Sequence, residues 1–165
     1  NYRDYYCAKY LAEKIKQIRN DNISSIFNEV FKVNNVTTNN EILELTSAFI
    51  PEDRNSIQSA INVLRVNQRS LTGIYQDNYD FPLSVLIRIF AYSHDNCIAS
   101  LNLSNLDLTE VCLSGYELFD REVGNSVILD GATVNLNTFL KSGLPTGSST
   151  ICKYEYCGKT YVVVF

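Results

Sequence analysis

The sequence predicts an α+β chain: an N-terminal antiparallel array of helices, capped by a short β-coil, with a β-hairpin at the C-terminal end. Three observations carry this expectation. Apolar residues recur at helical spacing over residues 1–95. From Leu101 to Leu118 the apolar period becomes five, which fits neither a helix at about 3.6 residues nor a plain strand at about 2. The tail, STICKYEYCGKTYVVVF, gathers β-branched and aromatic residues on both sides of Gly158, a hairpin signal.

The helices follow in order. Cys7, Leu11, Ile15 and Ile18 form one face of the first. Asp21 or Asn22 is placed to cap the second, whose Ile23, Ile26, Phe27, Val30 and Phe31 match the i, i+3, i+4, i+7, i+8 template. Thr38 and Glu41 have capping-box spacing ahead of Ile42, Leu45 and Phe49, and Pro51 ends that run. Ile57, Ile61 and Leu64 mark a fourth helix. A fifth begins near Pro82 and presents Leu83, Leu86, Ile87 and Phe90, with His94 near its C-terminal end. RSLTGIYQDNYDF is the longest predicted connection and the expected mobile loop. The short polar connections suggest an antiparallel array.

The predicted organisation is therefore a helical array over 1–95, a coil with an insertion over 96–140, and a linker with a β-hairpin over 141–165. FDREVGNS interrupts the five-residue rhythm, which resumes at Leu129, Val134 and Phe139, and SGLPTGSS reads as a loop.

Composition limits the function classes. Hydrophobic residues make up 45% and charged residues 19% of the 165, a globular balance. A net charge of −4 without a Lys/Arg stripe argues against nucleic-acid binding, which needs cations to neutralise phosphates. No apolar run reaches transmembrane length and the start does not read as a signal peptide, so no membrane partner is expected. Five scattered cysteines, an odd number, suggest reduced thiols and a cytoplasmic location. The chain has no initiator methionine, nor any other, so residue 1 is expected to follow processing or to mark a cut from a longer polypeptide, with the cut favoured by the resemblances below.

The quintets Leu101–Asn105, Leu106–Glu110 and Val111–Gly115 resemble the pentapeptide-repeat family. The resemblance implies a square β-coil, one side per quintet, with the central Leu and the residue two before it pointing inward. Leu in place of the family's small Ala implies a looser coil. Roughly three repeats are needed before a solenoid stands alone, so this short run is expected to rest on the last helix and close the array.

The opening YRDYYCAKYLAEKI resembles the F-x-x-x-[FY]-x-[ED]-Y-x-A-A-x-Y-L helix that follows the nucleotide-binding core of NACHT-type signal-transduction ATPases, the STAND class. Tyr2, Arg3, Asp4, Tyr5, Cys7, Ala8, Tyr10 and Leu11 stand at matching places, with Cys7 where Ala is usual. Glu41 to Ile50 is similar to a helix that follows in that class, and LDGATVNLNTFLKSGLPTG resembles the segment leading into a β-propeller in some members. The Gly-His and Trp-Asp signatures of such a propeller are missing. The resemblance implies an upstream NTPase domain and a downstream β-rich domain of the same polypeptide as partners, together with an unknown protein ligand.

Catalytic chemistry finds little support. No G-x-x-x-x-G-K-[ST] loop cradles phosphates, so any ATPase activity is expected upstream and no cofactor in this segment. His94 with Cys97 is the one nucleophile pair to consider, and an ordinary helix-end His beside a small Cys explains it better. Cys152 and Cys157 have no second ligand pair for zinc. Glu41/Glu44 and Glu52/Asp53 sit at helix starts, where carboxylates favour the dipole. In the tail, Tyr154, Tyr156 and Tyr161 suit either ordinary packing or a partner-binding edge, and form the candidate partner surface. The leading expectation is a non-catalytic regulatory segment in bacterial signalling or anti-phage defence. A stand-alone pentapeptide-containing binding protein or secreted effector is the alternative, and an enzyme using Cys97 and His94 ranks last.

Overall fold

The computed structural model describes residues 2–31, 39–50, 55–72, 80–109, 111–134, 138, 151–156 and 159–164. The chain is α+β and divides into two compact units, 1–93 and 94–165.

The first unit holds α1 (Tyr2–Lys16), α2 (Ile23–Ile26) running into a π-helix (Phe27–Phe31), α3 (Asn40–Phe49), α4 (Asn55–Thr72) and α5 (Asp80–Tyr92). Helix α1 buries Ala8, Leu11, Ala12 and Ile15 and packs on α3 and α4. Cys7, expected on that face, is only half-buried. Beyond α1, Asn22 closes the chain on itself: its Oδ1 accepts from the Arg19 amide at 2.7 Å and its Nδ2 donates to the Gln17 carbonyl at 2.7 Å. Its side chain therefore faces back to α1 and does not cap α2.

Helix α3 departs from expectation at two points. Its N-cap is Asn39, whose Oδ1 accepts from the amides of Glu41 and Ile42 at 2.9 and 3.3 Å. Thr38, the expected cap, lies outside the described residues, as do Pro51, Glu52 and Asp53. The buried stripe is Ile42, Leu43, Thr46 and Ile50, leaving Leu45 38% exposed. Thr46 tolerates burial because its hydroxyl donates to the Ile42 carbonyl at 2.7 Å.

The expected long loop is shorter than its sequence suggested, since α4 continues to Thr72 and α5 starts at Asp80. Residues 73–79 lie outside the described residues. Helix α5 buries not only Leu83, Leu86, Ile87 and Phe90 but also Val85, Ile89 and Ala91, a wider apolar face than the spacing marks. It packs on α3, α4 and the π-helix, and Arg88 donates to Asn40 Oδ1 at 3.3 Å.

In the second unit the chain repeatedly returns alongside itself. Parallel bridges join Cys97 to Glu117, Asn102 to Ile128 and Asp107 to Thr133. The first return takes twenty residues (97 to 117) and the next two take twenty-six (102 to 128, 107 to 133). The six extra residues belong to the predicted insertion, which forms a hairpin of β1 (Phe119–Asp120) and β2 (Asn125–Ser126). Gly124 closes its turn at φ 78°, its amide donating to the Asp120 carbonyl at 2.8 Å.

Amide bonds hold the returns together: Leu103 to the Ile128 carbonyl at 2.8 Å, Leu108 to Thr133 at 2.7 Å and Leu113 to Thr138 at 2.9 Å. Donors thus fall every five residues on the earlier pass. Turns accompany them at 99–100, 104–105 and 114–115. The interior is apolar, with Ile98, Leu101, Leu103, Leu106, Leu108, Val111, Leu113, Leu118, Val127, Leu129, Ala132 and Val134 all buried. Each leucine so removed from water contributes roughly 2 kcal/mol before its entropy cost. Tyr116, at an expected inward position, is half-buried, and Phe139 lies outside the described residues.

The predicted C-terminal hairpin forms from β4 (Ile151–Tyr156) and β5 (Lys159–Val164). It is not separate from the returning chain. Strand β3 (Thr133–Val134) pairs parallel with β4, Thr133 beside Lys153 and Val134 beside Tyr154, in a sheet ordered β3-β4-β5.

Candidate functional site

The expected partner surface falls on the last two strands. Tyr154 faces Tyr161 across the β4–β5 ladder, and Tyr156 faces Lys159. The side chains of all three tyrosines, and the Cys152/Cys157 pair, lie outside the described residues. Strand β5 is the outer strand of its sheet, so this is an edge in the topological sense.

His94 and Cys97 are brought together through the backbone. The Cys97 amide donates to the His94 carbonyl at 2.9 Å, closing a turn in which Asp95 and Asn96 adopt positive φ. Both side chains are half-buried, and the Cys97 thiol is free. That turn feeds the first bridge of the ladder, Cys97 to Glu117, and so has a structural task. Glu41 lies in the first turn of α3, where its charge meets the helix dipole favourably. Among the described residues no group of three or more His, Cys, Asp or Glu side chains could hold a metal ion.

Two surface features were missed by the sequence reading. One is an open groove of about 310 Å³ between α1 and α4, lined by Ile15, Ile18, Ala60 and Val63 with Lys16 and Arg19. Its cations are already engaged. Arg19 donates to the Lys16 and Ile18 carbonyls at 3.0 and 2.8 Å, satisfying acceptors at the end of α1. Lys16 pairs with Glu13 at 3.1 Å.

The other is the solvent side of α1. Tyr10 donates its hydroxyl to Glu29 of the π-helix, and Lys14 reaches the same carboxylate at 3.1 Å while lying 5.5 Å from the Tyr10 ring centroid. The hydrogen bond from Tyr10, then that from Lys14, lowers the Glu29 pKa, and the same carboxylate raises that of Tyr10. Tyr2, Tyr5 and Tyr6 are also exposed, and Tyr5 meets Phe49 edge-on at 5.1 Å. The signal was legible: Tyr2, Tyr6 and Tyr10 recur at i, i+4, i+8, on the side opposite Ala8, Leu11 and Ile15.

No protein-family model, no curated protein and no solved structure matches this chain. Among the described residues, no helix is long and apolar enough to cross a membrane.

Proposed function

We propose that the chain is a non-catalytic coupling segment of a NACHT-type STAND ATPase, and that its second unit is a short pentapeptide-like coil. The twenty-residue return from Cys97 to Glu117 supports the coil, because four five-residue sides complete one circuit of that length. Burial of Leu101, Leu103, Leu106, Leu108, Val111 and Leu113 supports the same reading, since such a coil needs apolar residues at its inward positions.

The observation that carries the functional reading is the order of the elements. A tyrosine-rich first helix leads into a helical unit, then a brief β unit, then a hairpin whose outer strand, among the described residues, is the last of its sheet and could be continued by a β-rich module. Few returns of a ladder leave apolar ends that another element must cover, which favours a part over a free-standing array. In this role the segment lies in the cytoplasm between an upstream nucleotide switch and a downstream sensor. It transmits a change because both neighbours bias one two-state contact. Turnover and cofactor binding belong to the upstream domain.

The test is the coding sequence upstream of Asn1. A phosphate-binding loop of the form G-x-x-x-x-G-K-[ST] in the same reading frame is the expected result. A stop codon immediately upstream, or a frame without such a loop, would remove the ATPase from the account and favour a stand-alone binding protein.

A further inference from the structure

Helix α1 has two unlike faces. Ala8, Leu11, Ala12 and Ile15 are buried, while Tyr2, Tyr6 and Tyr10 on the opposite side are 84%, 63% and 47% exposed. A solvated helix face gains nothing from tyrosine, whose helix propensity is middling and whose ring is apolar surface left in water. At about 200 Å² for a whole tyrosine, the three leave roughly 400 Å² in one stripe. Patches of about that size on a monomer are often functional.

Charges flank the stripe in a telling order. Arg3 and Glu13 are exposed near its two ends, the Glu13 carboxylate also holding Lys16 at 3.1 Å on the same helix. We propose that this face is a self-association surface, on which α1 pairs antiparallel with α1 of a second copy about a two-fold axis at the level of residue 8. In that register Tyr6 meets Tyr10 of the second copy and Arg3 meets Glu13, each contact occurring twice by symmetry. The contacts are then two aromatic pairs and two ion pairs.

Two alternatives are disfavoured by charge: an axis at Tyr6 sets Arg3 against Lys9, and parallel pairing stacks Arg3 on Arg3 and Glu13 on Glu13. With the flanking charges included, each copy contributes roughly 600 Å², or about 1,200 Å² in total, the low end for a specific interface. The association is therefore reversible and concentration-dependent. It does not depend on the ATPase reading.

Sedimentation velocity on the 165-residue chain, from low to high micromolar concentration, tests this. The expected result is a shift from 18.7 kDa to twice that mass. Arg3→Glu and Glu13→Arg should each weaken dimerisation by about tenfold or more, and the double variant should recover most of that loss. Both substitutions suit the α1 dipole, so circular dichroism should show the helix content unchanged. A monomer at every concentration would overturn the proposal, as would a dimer indifferent to either reversal or a double variant no better than the singles.

Discussion

Replacing Gly131 with alanine places a methyl group where the returning chain leaves no room. Gly131 has φ 71°, and a Cβ built there overlaps Asn105 Oδ1 and comes within 3.2 Å of Asn105 Cγ. Two costs follow. The left-handed conformation disfavours an L side chain by about 1–2 kcal/mol. In addition, Asn105 must move its side chain while its backbone stays pinned, because its amide donates to the Asp130 carbonyl at 2.9 Å. An off-rotamer side chain costs about 1 kcal/mol. The expected total is about 2–3 kcal/mol.

Gly115 and Gly124 supply the controls. Their φ values are 90° and 78°, and nothing lies within 4 Å of an added Cβ at either. Their alanine variants should lose only the conformational part, about 1–2 kcal/mol. In an Asn105→Gly background the excess at Gly131 should vanish, since glycine suits the φ of 58° found at residue 105. Urea unfolding followed by circular dichroism measures these differences, and each kcal/mol should also move Tm by about 2–4 °C. Equal losses at Gly131 and Gly124, or an excess that survives Asn105→Gly, would refute the stacking of the 130–131 turn on the 104–105 turn.

Three further perturbations follow from the same geometry. Excising residues 120–125 removes the six-residue excess between returns, so a cooperative melt should persist in differential scanning calorimetry, the lost segment being a surface hairpin. Asn39→Ala should cost about 1 kcal/mol by removing the acceptor of two α3 amides, whereas Asn39→Asp should cost much less in the same unfolding assay. The Tyr10–Glu29 contact should stabilise at neutral pH and weaken at both extremes. Glu29 has a lowered pKa, so its contribution is lost as pH falls through that folded value; Tyr10 has a raised one, so its contribution is lost as pH rises through its own. Ultraviolet titration should find a tyrosine above the ordinary range, and Glu29→Gln should return it towards that range.

Much of this fold was legible in the residues. The spacing of Leu83, Leu86, Ile87 and Phe90 marked α5, and the rhythm from Leu101 to Leu118 marked positions that are almost all buried. The losses have physical causes. Apolar spacing does not distinguish an α from a π turn, so Phe27–Phe31 looked like ordinary helix. Leu45 was favoured over Leu43 because both fit a helical period, and only the packing against α1 and α5 decides between them. Asn39 and Thr38 are both good caps, one residue apart. The insertion was visible as a broken register, but its closing as a hairpin depends on Gly124, and the pairing of β4 with β3 is a contact between residues twenty apart (133 and 153) that no local pattern encodes. The tyrosine stripe on α1 was legible as a face of its own from its i, i+4, i+8 spacing opposite Leu11 and Ile15, but the extent of its exposure depends on what packs around α1.

The claim that this chain serves as a coupling segment of a larger ATPase is tested most directly by the mass of the native polypeptide in its own cells. An antibody raised against the 18.7 kDa chain would be used to isolate it for intact-mass measurement. The account predicts a species several times heavier that is retained on immobilised ATP. A native species near 18.7 kDa would contradict it.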